Sequence, residues 1–187
     1  MEIRLASPVI QSDSIVDGEG IRSVIWTQGC PHNCKGCHNP ETHSFTDGYV
    51  IDIDEIKMQI DNLEGQQGIT FSGGDPMMQP EACLELAKYS KKLGYNIWCY
   101  TGFTYEELLK LGKKKKSIME FLKYIDVLVD GKFVLEEKSF DCIFRGSKNQ
   151  RLIDVKKSLD TDKVVLVTKF DNNIVNKKGR KDSYMFV

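Results

Sequence analysis

The stretch "IRSVIWTQGCPHNCKGCHNP" (Ile21 to Pro40) carries two signals back to back. Ile21 to Gln28 is rich in β-branched and aromatic residues and reads as a strand. Directly after it, Cys30, Cys34 and Cys37 put three of the chain's six cysteines into eight positions. Further strands follow the same reading at "GITFS" (Gly68 to Ser72), "YNIWCY" (Tyr95 to Tyr100), "DVLV" (Asp126 to Val129) and "KVVLV" (Lys163 to Val167). Helical signals lie between them. Asp52 with Glu55, Thr104 with Glu107, and Ser117 with Glu120 each supply the N-cap and third-residue acid of a capping box. Ile53, Ile56, Ile60 and Leu63 keep one apolar face until Gly65 stops the helix. Pro80 opens another helix, which ends at Gly94.

Strands alternating with helices predict an α/β fold with a largely parallel sheet and right-handed crossovers. Ligand sites of such sheets gather where the carboxyl ends of the strands open into loops. The three-cysteine loop follows the first of these strands, Gly73-Gly74 the second, Thr101-Gly102 the third and Asp130-Gly131 the fourth. All four are expected on one face.

The chain of 187 residues, 41% apolar and 28% charged, has the composition of a globular protein and the length of one domain, residues 1–187. A formal charge of -1 and a pI near 6.3 supply no field that would draw it to nucleic acid or to a membrane surface. The basic runs Lys113 to Lys116 and Lys177 to Lys181 read as solvated segments. The beginning, "MEIRLASPVIQSDSIVDGEG", lacks the pattern of a signal peptide, and no run of about 18 apolar residues predicts a spanning helix. The expected location is cytoplasmic, where clustered cysteines read as metal or redox ligands rather than as disulfides.

Structural zinc takes four protein ligands, usually as two separated pairs. Cys34 and Cys37 have pair spacing, yet Cys30 is an odd third and no second pair follows. Cys83 sits in a predicted helix, Cys99 in a predicted strand, and Cys142 is isolated; all three read as small buried hydrophobes. His32 and His38 leave a three-cysteine, one-histidine zinc site open. An iron–sulfur cluster on three thiolates suits the compact loop better and leaves one iron with an open position for an exogenous molecule.

Cys30-x3-Cys34-x2-Cys37 at the end of the first strand resembles the signature of the radical S-adenosylmethionine enzymes. The resemblance implies a 4Fe-4S cluster, one per chain, on Cys30, Cys34 and Cys37, with S-adenosylmethionine chelating the fourth iron. It implies one-electron cleavage to methionine and a 5′-deoxyadenosyl radical. It further assigns cofactor contacts to Gly36, Cys37, His38, Gly73 and Gly74, with Asp75 completing a Gly-Gly-acid segment at the methionine amine. Gly36 stands where many of these enzymes carry an aromatic residue, and Asp75 where many carry glutamate. The implied fold is an incomplete (βα) barrel, since the complete one takes about 250 residues.

"VDGEGIR", "QGCPHNCKGCHNPET", "SGGDP", "WCYTGF", "VLVDGKF" and "FRGSKNQR" occur in the order found in the activating proteins of anaerobic ribonucleoside-triphosphate reductase. This similarity runs from about Ile15 to about Val155, and residues 159–187 form an extension that matches none of it. It implies an oxidoreductase of the [formate-C-acetyltransferase]-activating-enzyme kind that installs a glycyl radical on that reductase. A low-potential donor such as flavodoxin or ferredoxin would supply the electron, and no residue is assigned as general acid or base. The alternatives are an activating enzyme of another glycyl-radical protein, such as pyruvate formate-lyase, and a non-enzymatic zinc or iron–sulfur module. For Trp98, Tyr100 and Phe103 the plainer expectation is core packing; for Arg145, an ion pair; for Asp130, Gly131 and Lys132, a turn.

Overall fold

The computed structural model describes residues 1–171; Lys177 to Lys181 and the rest of the terminus lie outside the described residues. In chain order the elements are β1 (Glu2–Leu5), β2 (Gln11–Ser14), β3 (Arg22–Thr27), β4 (Tyr49–Asp52), α1 (Ile53–Asp61), β5 (Gly68–Gly73) and α2 (Pro80–Lys92). Then come β6 (Asn96–Tyr100), α3 (Tyr105–Gly112), α4 (Lys116–Leu122), β7 (Val127–Asp130), β8 (Arg151–Asp154) and α5 (Val155–Thr161). Thr104 caps α3 with a complete capping box, its hydroxyl accepting from the Glu107 amide while the Glu107 carboxylate accepts from the Thr104 amide. Asp52 caps α1 through the Asp54 amide, and Pro80 opens α2. Ser117 is not a cap: it lies inside α4 and its hydroxyl donates to Glu81, 2.8 Å away.

Among the described residues eight strands form one sheet in the order β4-β1-β3-β5-β6-β7-β8, with β2 also paired to β3. Strands β3, β5, β6 and β7 run parallel, and this centre is the predicted alternation of strand and helix. The flanks β1, β2, β4 and β8 are antiparallel and were not anticipated. Each is only four residues long, and β2, "QSDS", has no apolar or β-branched residue to announce it. The expected strand Lys163 to Val167 is reduced to a single bridge, Leu166 opposite Ile153. It runs back along β8, held by the Asp154 amide donating to Val165 and the Val167 amide donating to Leu152. The Lys113 to Lys116 run is exposed around the α3–α4 turn, as expected.

Side chains alternate across the pleat, so each register row belongs to one face. Ile25, Phe71, Cys99, Leu128 and Ile153 form one row, and all are buried in the main core. Helices α2, α3 and α4 cover this side with Leu86, Leu108 and Phe121, whose ring meets Phe71 edge-on at 5.4 Å. Among the described residues the opposite row, Val24, Thr70, Trp98 and Val127, carries no helix cluster of that kind. There Trp98, Val129 and Leu152 pack with Phe144, Val167 and Phe170, so the segment after α5 closes over this side.

At the amino ends of the parallel strands on this second face lies Arg22, 1% exposed. Its Nε donates to Thr70, Nη1 to Glu19 and Asn96, and Nη2 to the carbonyls of Ile69 and Asn96, all within 3.2 Å. Thr70 passes the connection on by donating to the Asp17 carbonyl at 2.7 Å, and the Trp98 ring lies over the guanidinium at 5.4 Å. Gly68 makes room, since a Cβ there would come 2.6 Å from both terminal guanidinium nitrogens. Burial pulls the guanidinium down to about 10, leaving it charged at neutral pH. Replacing Arg22 by methionine orphans buried acceptors on three segments. It should lower stability by about 3 kcal/mol or more, read from the urea midpoint of the apo protein.

Candidate cluster and cofactor site

The carboxyl ends of β3, β5, β6 and β7 open into one cavity of about 760 Å³. Cys30, Cys34 and Cys37, then Gly73-Gly74, Thr101-Gly102 and Gly131 all lie on its wall. The strand-end loops that the sequence places on one face thus meet around a single cavity.

The cysteine loop is shaped by its own main chain. Gly29 and Cys30 donate amide hydrogen bonds to the carbonyls of Thr42 and His43, at 2.8 and 3.1 Å, which pins the loop's start to its exit. Between them the Cys37 amide donates to the Cys34 carbonyl, and the Asn39 amide points at the Cys37 Sγ from 3.4 Å. All three thiols are free and half-buried. Burial pushes the Cys30 thiol up, while the main-chain amides of His32 and Asn33 favour its thiolate.

His32 is committed to an acid, and His38 packs on an aromatic ring. His32 Nε2 lies 2.8 Å from the Asp75 carboxylate, and the His38 ring rests against Phe133 with centroids 4.8 Å apart. Among the described residues no three His, Cys, Asp or Glu side chains are gathered around a point suited to a single metal ion. Three separately placed thiols on one cavity-lining loop fit a cluster instead, because a cluster offers each thiolate a different iron.

Gly73 and Gly74 have a reason to be glycine that the sequence did not reveal. A Cβ on Gly73 would come 2.4 Å from the Thr27 carbonyl oxygen, and one on Gly74 would come 2.5 Å from that of Gly29. The Gly74 and Asp75 amides donate to those same two carbonyls at 2.7 and 2.9 Å. The absent side chains let the end of β5 lie flush against the root of the cysteine loop, while both glycines still border the cavity.

The expectation for Asp75 changes, and Gly36 has a role in the loop's own geometry. Asp75 does not face the cavity: it is 0% exposed and its carboxylate accepts from the Met77 and Gly102 amides, the Thr101 hydroxyl and His32. Gly36 is absent from the cavity wall as well; at φ 75° it makes the loop's turn, with Leu135 3.0 Å from where its Cβ would be. His38, by contrast, does line the cavity.

Of the other cysteines, Cys83 and Cys99 are fully buried and burial holds both thiols up, as expected of inert core residues. Cys142 is different: it is half-buried on the cavity wall. It lies in an irregular segment with no periodicity to disclose that position. Trp98 is core; Tyr100 lines the cavity and donates its hydroxyl to the Phe144 carbonyl at 3.0 Å. Phe103 packs on His32, and Arg145 forms the expected ion pair, with Asp171 at 2.6 Å. Asp130 is more than a turn residue, since its buried carboxylate takes the first amide of α3 and pairs with Arg151.

A three-cysteine loop and a flush Gly-Gly segment share one cavity, the arrangement expected of a radical S-adenosylmethionine enzyme with a 4Fe-4S cluster. The family described as "4Fe-4S single cluster domain" matches residues 16–153. The anaerobic ribonucleoside-triphosphate reductase-activating protein of Haemophilus influenzae is 37% identical over 145 residues, 73% of this chain and 89% of its own. That of Escherichia coli K12 is 33% identical over 151 residues, 73% of this chain and 90% of its own. The chain belongs to the family of anaerobic ribonucleoside-triphosphate reductase-activating proteins. Among solved structures, QueE from Escherichia coli aligns with a TM-score of 0.46 and 17% identity over 56% of this chain and 54% of that one, too slight a likeness to bear on fold or function.

After anaerobic reconstitution, Cys34→Ala should hold no 4Fe-4S cluster, whereas Cys83→Ala should retain it; iron and sulfide analysis with the visible absorption band measures both. Cys142→Ala should also retain the cluster, and iron loss in that variant would place Cys142 among the ligands.

Proposed function

We propose that this chain installs a glycyl radical on an anaerobic ribonucleoside-triphosphate reductase. The observation that carries the reading is the meeting of Cys30, Cys34 and Cys37 with Gly73-Gly74 on one open cavity. When bound, the cluster and S-adenosylmethionine supply one-electron cleavage of a carbon–sulfur bond and a 5′-deoxyadenosyl radical able to take a glycine Cα hydrogen.

The chain's own residues hold and exclude. Cys30, Cys34 and Cys37 would hold the cluster, and three protein thiolates would leave a position on it for S-adenosylmethionine. Gly73, Gly74 and His38 border the cavity in which that ligand would lie, their main chain and ring available for contact. Tyr100 and Phe144 wall the cavity and keep water and stray hydrogen donors away from the reacting carbon. Ile15 and Val16, 71% and 70% exposed, and Phe140, 94% exposed, stand on the same wall and suit an entering polypeptide segment. Positioning is the whole of the protein's contribution, consistent with the absence of an assigned acid or base.

The fold that accompanies this reading is an incomplete (βα) barrel, its open side admitting the partner; the open eight-stranded sheet supports it. Residues 1–187 act as one domain, in the cytoplasm, with flavodoxin or ferredoxin as donor. Among the described residues no helix is long and apolar enough to cross a membrane. The ordered segments "VDGKF" and "FRGSKNQR" favour the reductase over pyruvate formate-lyase as the partner.

Mixed with reduced donor, S-adenosylmethionine and candidate partners, the reconstituted protein should produce 5′-deoxyadenosine and the doublet of a glycyl radical on the reductase in electron paramagnetic resonance. A doublet on pyruvate formate-lyase alone would reassign the partner. Absence of 5′-deoxyadenosine with every partner would refute the activity.

A further inference from the structure

His32 lies two residues after Cys30 and two before Cys34, so a constraint on His32 acts on the main chain between two of the three cysteines. Its side chain is only 6% exposed although it belongs to a surface loop. Three contacts enclose the ring. Nε2 meets the Asp75 carboxylate at 2.8 Å, Phe103 packs edge-on with centroids 4.4 Å apart, and a Cβ on Gly102 would come 2.2 Å from Cδ2.

Asp75 is itself immobilised. Its Oδ1 accepts from the Met77 amide and its Oδ2 from the Gly102 amide, each at 3.0 Å, while the Thr101 hydroxyl sits 3.0 Å from both oxygens. A carboxylate has about four acceptor sites, and here the protein occupies them, the last with His32. Nothing of this carboxylate is left for a ligand's amine. Its bonds tie the end of β5, the start of the β6–α3 connection and the cysteine loop into one unit.

We propose that His32 is a positioning residue for the cluster: clamped by Asp75, Phe103 and Gly102, its ring sets where Cys30 and Cys34 present their sulfurs. The proposal rests on the reading that the three cysteines carry a cluster. The main chain that carries the ring also carries both sulfurs, and Cys30 and Cys34 lie two residues to either side of it. Contacts that orient a ligating residue tune a cluster's stability and electronic structure.

The test compares the reconstituted wild type with His32→Ala, His32→Gln, Gly102→Ala and the His32→Ala/Gly102→Ala double variant. Cluster loss to an iron chelator is timed, the electron paramagnetic resonance of the reduced cluster is recorded, and urea midpoints of the apo proteins report folding. His32→Ala should lose its cluster about ten-fold faster and show an altered spectrum. His32→Gln, which keeps an N–H directed at Asp75, should recover both properties. Gly102→Ala should resemble His32→Ala by displacing the ring, and should add nothing in the double variant, where the ring it displaces is gone.

Wild-type lifetime and spectrum in His32→Ala would overturn the proposal. So would additive effects of the two substitutions, or a His32→Gln variant no better than His32→Ala at equal apo stability. A wild-type chain that takes up no iron overturns the cluster reading itself, and the positioning role with it.

Discussion

A carboxylate taken wholly out of water must receive its hydrogen bonds from the protein or remain protonated. At Asp75 the donors come from three separate strand-end loops, and each is drawn to the position the carboxylate requires. Gly73 and Gly74 serve the same constraint from below, letting β5 reach the root of the cysteine loop at main-chain distance. The metal-binding loop is therefore not a free flap on a scaffold. It is one wall of a polar knot whose other walls are the sheet.

Arg22 does the equivalent work at the opposite ends of the same strands, joining the start of β3 to β5, β6 and the loop before β3. Between these two buried polar groups the helix-covered side of the sheet is apolar, and the cavity side mixes Thr70, Trp98 and Tyr100. Apolar burial on the first side stabilises the fold, each fully buried large side chain contributing roughly 1.5–3 kcal/mol. Polar bonding on the second fixes the relative heights of the strand ends, and so the shape of the cavity they share.

The parallel centre was legible because β3, β5, β6 and β7 are rich in β-branched and aromatic residues, and because the caps at Asp52 and Thr104 and the proline at Pro80 mark helix starts. The antiparallel flanks were not, since a four-residue edge strand such as "QSDS" is specified by its partner rather than by its own propensity. "KVVLV" erred the other way: strong local propensity met an edge, β8, that accepts it at one bridge only. In the site, the three cysteines announced themselves by spacing, and the strand-end loops by following strands. Asp75 misled because a sequence names an acid without saying which way it points. His32 looked like a spare zinc ligand, since nothing local foretells a partner 43 residues away. Phe103 and Gly102, which enclose it, carry no signature of their own.

The return of the chain along β8 has a further consequence. A sheet that stops at an unprotected strand offers a row of bare amides and carbonyls to any extended segment that comes by, including another copy of itself. Here the Val165 and Val167 backbones already occupy that row, and Phe170 is tucked over Trp98 and Phe144 rather than left outside. An extension beyond the stretch shared with the reductase activators thus doubles as a seal against accidental strand exchange, at the sheet margin nearest the segment that carries Arg145.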